Sequence, residues 1–150
     1  MTENMDKKDH AIIEALREDA SRSSQQVSKL TGIPITTVHN RIRKLRQQGI
    51  IKRYTISLDN RKLGKNVSVY VLITANYASL KGNKIDHNVL ASRIRKYPAV
   101  ESVALTTGGI DLIVKAVLKD VDELNDFVAR FLRDIEGIER TQTLVILNEV

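Results

Sequence analysis

Residues 23–58 carry the pattern that most narrows what this chain can fold into. Within them the run ITTVHNRIRKLRQQ, residues 35–48, is read as a helix at 100° per residue. Ile35, Val38, Ile42 and Leu45 then share one stripe, and Thr36, Asn40, Arg43, Lys44 and Gln47 lie opposite. The segments on either side are punctuated. Ser23-Ser24-Gln25-Gln26 has capping-box spacing, with the Ser23 hydroxyl positioned for the Gln26 N–H and the Gln26 side chain reaching back. Thr31-Gly32-Ile33 is a tight turn in which Gly32 can take a positive φ, and Gly49 follows the last periodic residue, where a left-handed helix cap is expected. Val27, Leu30 and Ile33 supply an apolar wedge between two crossing helices. Upstream, Asp6 caps a first helix with Asp9 in its first turn and Ile12, Ile13 and Leu16 inward. This is helix-turn-helix punctuation.

The charge around this run is of one sign. Between Asp19 and Asp59 there is no Asp or Glu, while Arg22, Lys29, Arg41, Arg43, Lys44, Arg46, Lys52 and Arg53 all fall there. A solvated helix usually mixes signs, because opposite charges three or four residues apart stabilise it and like charges repel. Through Asn66 there are 14 Lys and Arg against 7 Asp and Glu, a balance of +7, and the remainder has 10 against 11, or −1. A surface cleared of carboxylates suits an anionic partner, and it belongs to the first half. The alternative is a basic face that is merely solvated.

After Gly49, IIKRYTISL alternates with period two, so a strand is expected with Tyr54, Ile56 and Leu58 on one side; it would make the first domain winged-helix-like. Residues 59–66 (DNRKLGKN) are polar and aperiodic and are assigned as a linker between domains at 1–58 and 67–150. The run VSVYVLITA then reads as a strand with Val67, Val69, Val71 and Ile73 on one face. Its other face carries Tyr70 and Leu72, too apolar for open water, and these two are assigned to a dimer interface. Asp86 can cap a helix with Val89, Leu90, Ile94 and Tyr97 along its stripe, ending at Pro98. Strands at 100–107 and 110–118 flank a two-residue Gly108-Gly109 turn. Asp120 opens a helix with Val121, Leu124, Phe127, Val128, Phe131, Leu132 and Ile135 inward. Gly137 ends it, and IERTQTLVIL is the last strand. The fold class is therefore α+β: a helix-turn-helix domain, then a ferredoxin-like βαββαβ domain whose two helices cover one sheet face.

At this point the chain resembles the Lrp/AsnC, or feast/famine, regulators. The resemblance rests on Asp6-Lys7-Lys8-Asp9, Thr31-Gly32-Ile33, Arg41-Ile42-Arg43-Lys44-Leu45, Gly49-Ile50-Ile51-Lys52 with Tyr54-Thr55, and Leu63-Gly64. Thr107-Gly108-Gly109-Ile110-Asp111 and Gly137-Ile138-Glu139-Arg140-Thr141-Gln142-Thr143 complete it. It is the order and spacing of these pieces that is specific. Three departures stand out: Pro34 occupies a position where the family often has Ser, residues 77–87 look longer than the usual turn, and the aromatic that commonly precedes the final Asp of the Gly-Gly turn is missing.

Residues follow from reach and chemistry. The N-terminal half of a recognition helix meets base edges, so Thr36, Thr37, His39 and Asn40 are the expected readers. Asn40 could pair with an adenine or be a solvent-exposed amide. Arg43 and Lys44 should anchor phosphates, as should Lys52 and Arg53 after the helix. Ser24 and Gln47 join this DNA-facing set. Arg41 lies nearer the core edge, to pack between helices or touch the DNA backbone. His39 has no nearby carboxylate or second His, so no metal site is expected. In the second half, the Gly108-Gly109 turn offers backbone N–H groups for a carboxylate, and Asp111 an anion for an ammonium, which together suit a free α-amino acid. Taken alone, such a turn is more often only a turn. The resemblance implies that the loop, with Thr107, is an effector site where dimers meet, and that Thr141 and Thr143 add polar contacts from a neighbouring subunit.

Other classes fit less well. The chain has no cysteine, no G-x-G-x-x-G and no clustered acid, base and nucleophile, so no catalytic cofactor or reaction is encoded in a known pattern. A ferredoxin-like sheet can stack RNA bases on aromatics, yet aromatics are 4% of the chain and the basic charge lies in the other half. A DNA-binding architectural protein with no effector is a second alternative. The polar N-terminus lacks a signal-peptide core and no apolar run reaches the roughly 18 residues of a membrane span, so the cytoplasm, on the nucleoid, is the expected location. The expected partners are double-stranded DNA, a possible amino-acid effector, and the chain itself as a homodimer or a tetramer or octamer of it.

Overall fold

The computed structural model of the chain describes residues 5–76 and 86–148, and the chain divides between Leu58 and Asp59 into two compact units. In the first unit α1 spans Lys7–Glu18, α2 Ser24–Thr31 and α3 Ile35–Gln47. The expected capping box forms at Ser23, and the expected Asp6 cap is a reciprocal box as well. The Asp6 carboxylate accepts the Lys8 and Asp9 N–H groups while Asp9 accepts that of Asp6, and Ser23 and Gln26 exchange the equivalent pair. Gly32 sits at φ 69° and Gly49 at φ 72°, so each closes its helix in the left-handed conformation that a side chain would strain. Pro34, at φ −52°, starts α3 with no side-chain cap bond.

The core of this unit is Ile12, Ala15, Leu16, Val27, Ile33, Val38 and Leu45, with Ile13, Ile42 and Ile51 packed at its margin. Two residues expected inward are out: Leu30 is 58% exposed and Ile35 47%. Leu30 is one residue from the end of α2, and Ile35 opens α3, so each falls beyond the crossing where the helices meet. The expected strand after Gly49 is also absent. Tyr54, Ile56 and Leu58 are exposed, and the segment is extended without a ladder partner among the described residues. A strand exists only through its neighbour's N–H and C=O groups, and the described residues of this unit contain no second strand to supply them.

In the second unit β1 spans Val67–Ala75, α4 His87–Ile94, β2 Val100–Leu105, β3 Leu112–Leu118, α5 Val121–Asn125 and β4 Ile138–Val145. The sheet is fully antiparallel in the order β2-β3-β1-β4. Residues 59–66, read as a linker, hold a 3-10 turn at Arg61–Leu63 and are bonded into this unit, the Asn66 N–H donating to the Lys119 carbonyl. After α5 the chain widens into a π-helical stretch, Asp126–Leu132. It carries Phe127 and Phe131 onto Tyr97, with ring centroids 4.7 and 4.6 Å away. The long single helix expected here is therefore two geometries, and Val121, expected inward, is 69% exposed in the first turn.

Alternation along β1 sorts the two sheet faces. Val69, Val71, Ile73 and Ala75 are fully or nearly fully buried under the helices with Leu112, Val114, Ala116 and Leu118 of β3. Tyr70 and Leu72 point to the other face beside Lys115, Ile113, Leu144 and Gln142, their direct ladder partners. The segment that looks longer than the usual turn, residues 77–87, falls almost wholly outside the described residues. Among the described residues no helix is long and apolar enough to cross a membrane.

Candidate DNA interface and effector loop

The outward face of α3 is built by the periodicity that buries Val38 and Leu45. Thr36, His39, Asn40, Arg43, Lys44 and Gln47 are exposed on it, and Lys52 and Arg53 are exposed beyond Gly49. Thr37 is half-buried, and so is Ser24 in the first turn of α2. One Arg43 N–H donates to the Asn40 amide oxygen at 3.3 Å, so the residue expected to read a base and the one expected to anchor a phosphate touch each other. Arg46, absent from the sequence-based set, lies 5.8 Å above the Tyr54 ring, within cation–π reach. His39, Arg43, Arg46, Gln47 and Lys52 line an open groove with Ile42 and Ile51 at its base.

Arg41 departs from the DNA-facing set. Its guanidinium lies 2.6 Å from the Asp6 carboxylate and 3.0 Å from that of Asp9, with the side chain 30% exposed. The two carboxylates make it still harder to deprotonate. The Asp6 carboxyl is held below the usual carboxylate range, by the Asp9 N–H first and by Arg41 in addition. Arg41 therefore faces the start of α1, the packing alternative of the two that the sequence left open. Arg22 is spent similarly, donating to the Ala15 carbonyl and pairing with Glu18 at 2.7 Å. Sequence reading could not find the Arg41 pairing: the partners stand over thirty residues apart, and each has a sufficient local explanation.

In the second unit the turn between β2 and β3 is longer than the two residues expected. Thr106 and Asp111 close it, the Thr106 N–H donating to the Asp111 carbonyl at 2.9 Å and the Thr106 hydroxyl to the Ile110 carbonyl at 2.6 Å. Four residues, 107–110, form the loop. Thr107, Gly108 and Gly109 are exposed, and Gly108 stands at φ 107°. Gly109 has no positive φ, so only the first glycine is demanded by backbone conformation. Asp111 is half-buried and fastens the loop to β1: its N–H donates to the Ile73 carbonyl, and its carboxylate accepts the Ala75 N–H at 2.7 Å, where the β1–β4 register shifts. Thr74, a residue the sequence did not single out, adds a hydroxyl bond to the Gly109 carbonyl.

Thr141 and Thr143 pair with Ile73 and Val71, so they lie on the helix side of β4 and are half-buried there. Thr141 shares a sheet row with Leu112, next to Asp111, with β1 between them. The loop and Thr141 thus share one end of the sheet, about two strand spacings apart, and Thr143 is one row deeper.

Comparison with known proteins agrees with this architecture. Residues 68–150 match the Lrp/AsnC ligand binding domain, and residues 5–52 match a winged helix-turn-helix DNA-binding domain. The HTH-type transcriptional regulator FL11 of Pyrococcus furiosus is 36% identical over 143 residues, covering 95% of this chain and 89% of its own. Among solved structures, LrpC of B. subtilis superposes with a TM-score of 0.82 at 28% identity, covering 99% of this chain and 98% of that one. A transcriptional regulator of Neisseria meningitidis solved with L-Met has the same fold, with a TM-score of 0.87 at 22% identity over 98% and 92% of the two chains. The chain is a member of the Lrp/AsnC family: a transcriptional regulator with a helix-turn-helix DNA-binding domain and an Lrp/AsnC ligand-binding domain.

Proposed function

We propose that the chain binds double-stranded promoter DNA as a homo-oligomer built on a dimer, within the cytoplasm, and that a free amino acid modulates it. The observation that carries the DNA reading is the exposed outer face of α3, where Thr36, His39, Asn40, Arg43, Lys44 and Gln47 stand with no carboxylate on the helix. Thr36, Thr37, His39 and Asn40 read base edges, and Arg43, Lys44, Lys52 and Arg53 hold phosphates, with Ser24 and Gln47 at the margins.

Dimerisation is supported by the uncovered sheet face, where Tyr70 is 38% and Leu144 43% exposed beside Leu72 and Ile113. The effector reading is supported by the exposed Thr107, Gly108 and Gly109, by the carboxylate of Asp111 at the loop's foot, and by Thr141 at the same end of the sheet. The Neisseria neighbour solved with L-Met favours the same ligand class. The Asp111 carboxylate carries the charge with which an ammonium would pair.

Tyr70 is the one aromatic on the open face among the described residues, which favours duplex DNA over stacked RNA. The test is recovery of duplex fragments from genomic DNA on the purified protein, followed by affinity for those fragments against single-stranded RNA of equal length. Enrichment of inverted half-sites about 34 Å apart is expected. Tighter RNA binding would overturn the proposal.

A further inference from the structure

Arg41 sits within the DNA-reading helix, yet its charge is directed into the protein. Its guanidinium is 2.6 Å from Asp6 and 3.0 Å from Asp9, and those carboxylates are themselves held by the backbone N–H groups of the first turn of α1. Asp9 is 14% exposed in its side chain, so the inner limb of this cluster is largely shielded. One guanidinium between two carboxylates leaves the cluster with a net charge of −1, which repels a phosphate rather than recruiting one. The start of α3 has no side-chain cap, since Pro34 supplies none, and Ile35 is 47% exposed. The Asp6–Arg41–Asp9 contact is thus a lateral tether, halfway along α3, to the end of another helix.

Its position bears on recognition. Arg41 is adjacent to Asn40 and two residues from Arg43. With side chains ending about 5–6 Å from the helix axis, a rotation of roughly 10° moves their tips by about 1 Å. The window for a base-edge hydrogen bond is narrower than that. We propose that Arg41, clamped by Asp6 and Asp9, is a positioning residue for base recognition: it fixes the rotation of α3 and contributes no phosphate contact of its own. This rests on α3 being the reading helix.

The test uses the full chain, a duplex recovered by selection with the wild-type protein, and a random-sequence duplex of the same length, titrated across a salt series well below the melting temperature. Arg41→Met should reduce the preference for the selected duplex about tenfold while leaving the salt slope unchanged. Asp9→Asn should lower the preference in the same direction, and the double variant should be no worse than Arg41→Met. Arg41→Lys should regain part of the loss, since an ammonium reaches one carboxylate more readily than it bridges two. Should Arg41→Met fail to fold, Asp9→Asn and Arg41→Lys carry the same readouts. A salt slope reduced by about one in Arg41→Met, with preference intact, would show a phosphate contact and overturn the proposal. So would Asp9→Asn and Arg41→Lys both leaving preference unchanged. Asn40→Ala is the control: if it does not alter preference, α3 is not the reader and the proposal falls with that reading.

Discussion

The two units present their chemistry in opposite ways. In the first, the candidate DNA-facing groups are side chains on the outside of a helix whose inside is core, so one 3.6-residue period sets both the packed face and the face offered to a partner. In the second, the candidate site is a loop of backbone groups fastened to β1, by the bonds of Asp111 with Ile73 and Ala75 and by the Thr74 hydroxyl donating to the Gly109 carbonyl. A helix surface tolerates substitution position by position. A loop pinned to a register shift does not, because its anchors also complete the sheet.

The substitution expected to have the largest effect is Leu72→Asp. If the open face is an assembly surface, an unpaired carboxylate there costs several kcal/mol on burial. Sedimentation should then show dissociation to monomers, while the helical signal of the first unit persists. A wild-type monomer at micromolar concentration would break the comparison at its root, leaving the apolar face without a purpose.

Next, Asp111→Ala should destabilise the second unit by about 1–3 kcal/mol through the stranded Ala75 N–H, and calorimetric titration with amino acids should lose its heat. Asp111→Asn sharpens the point, because an amide oxygen still accepts the Ala75 N–H but offers no charge to an ammonium. Retained stability with lost binding would separate the fastener from the ligand contact. Retained binding as well would leave Asp111 a fastener alone.

On the helix, Asn40→Ala should relax preference at one base position at a cost of roughly 1–3 kcal/mol. Lys44→Ala should weaken all duplexes alike and reduce the salt slope by about one. If the two signatures are exchanged, α3 is docked the other way round.

The smallest effect concerns pH. A carboxyl whose pKa is lowered in the folded state stabilises it above its ordinary value of about 3.9, and the stability is lost as pH falls through the folded value. Asp6 is such a group, so thermal melting of the first unit should be level near neutrality and decline only in acid, below about pH 4. Asp6→Asn should flatten that acid limb, as seen by the helical signal.

What proved legible was local. The cap at Asp6, the capping box at Ser23, the left-handed glycines 32 and 49, and the buried stripe of Val38 and Leu45 all depend on residues within a few positions of one another. Alternation along β1 likewise separated Val69 and Val71 from Tyr70 and Leu72. What failed involved a partner distant in sequence or absent from the unit. The alternating residues after Gly49 are no strand without a neighbour to pair with, and Leu30, Ile35 and Val121 follow an apolar period into places where, among the described residues, they stay exposed.

The sequence by itself determined the three helices of the first unit, the four strands of the second, the division of charge between the halves, and the face of α3 that stays polar, because helix period, strand alternation, capping geometry and net charge are properties of short segments. Only the tertiary structure decided that Arg41 turns to Asp6 and Asp9, that Asp111 secures Ala75, and that Thr141 and Thr143 lie on the helix side of the last strand. Each depends on distances and registers between elements far apart in the chain, and an ion pair or hydrogen bond that vanishes beyond a few ångströms leaves no trace in the local pattern.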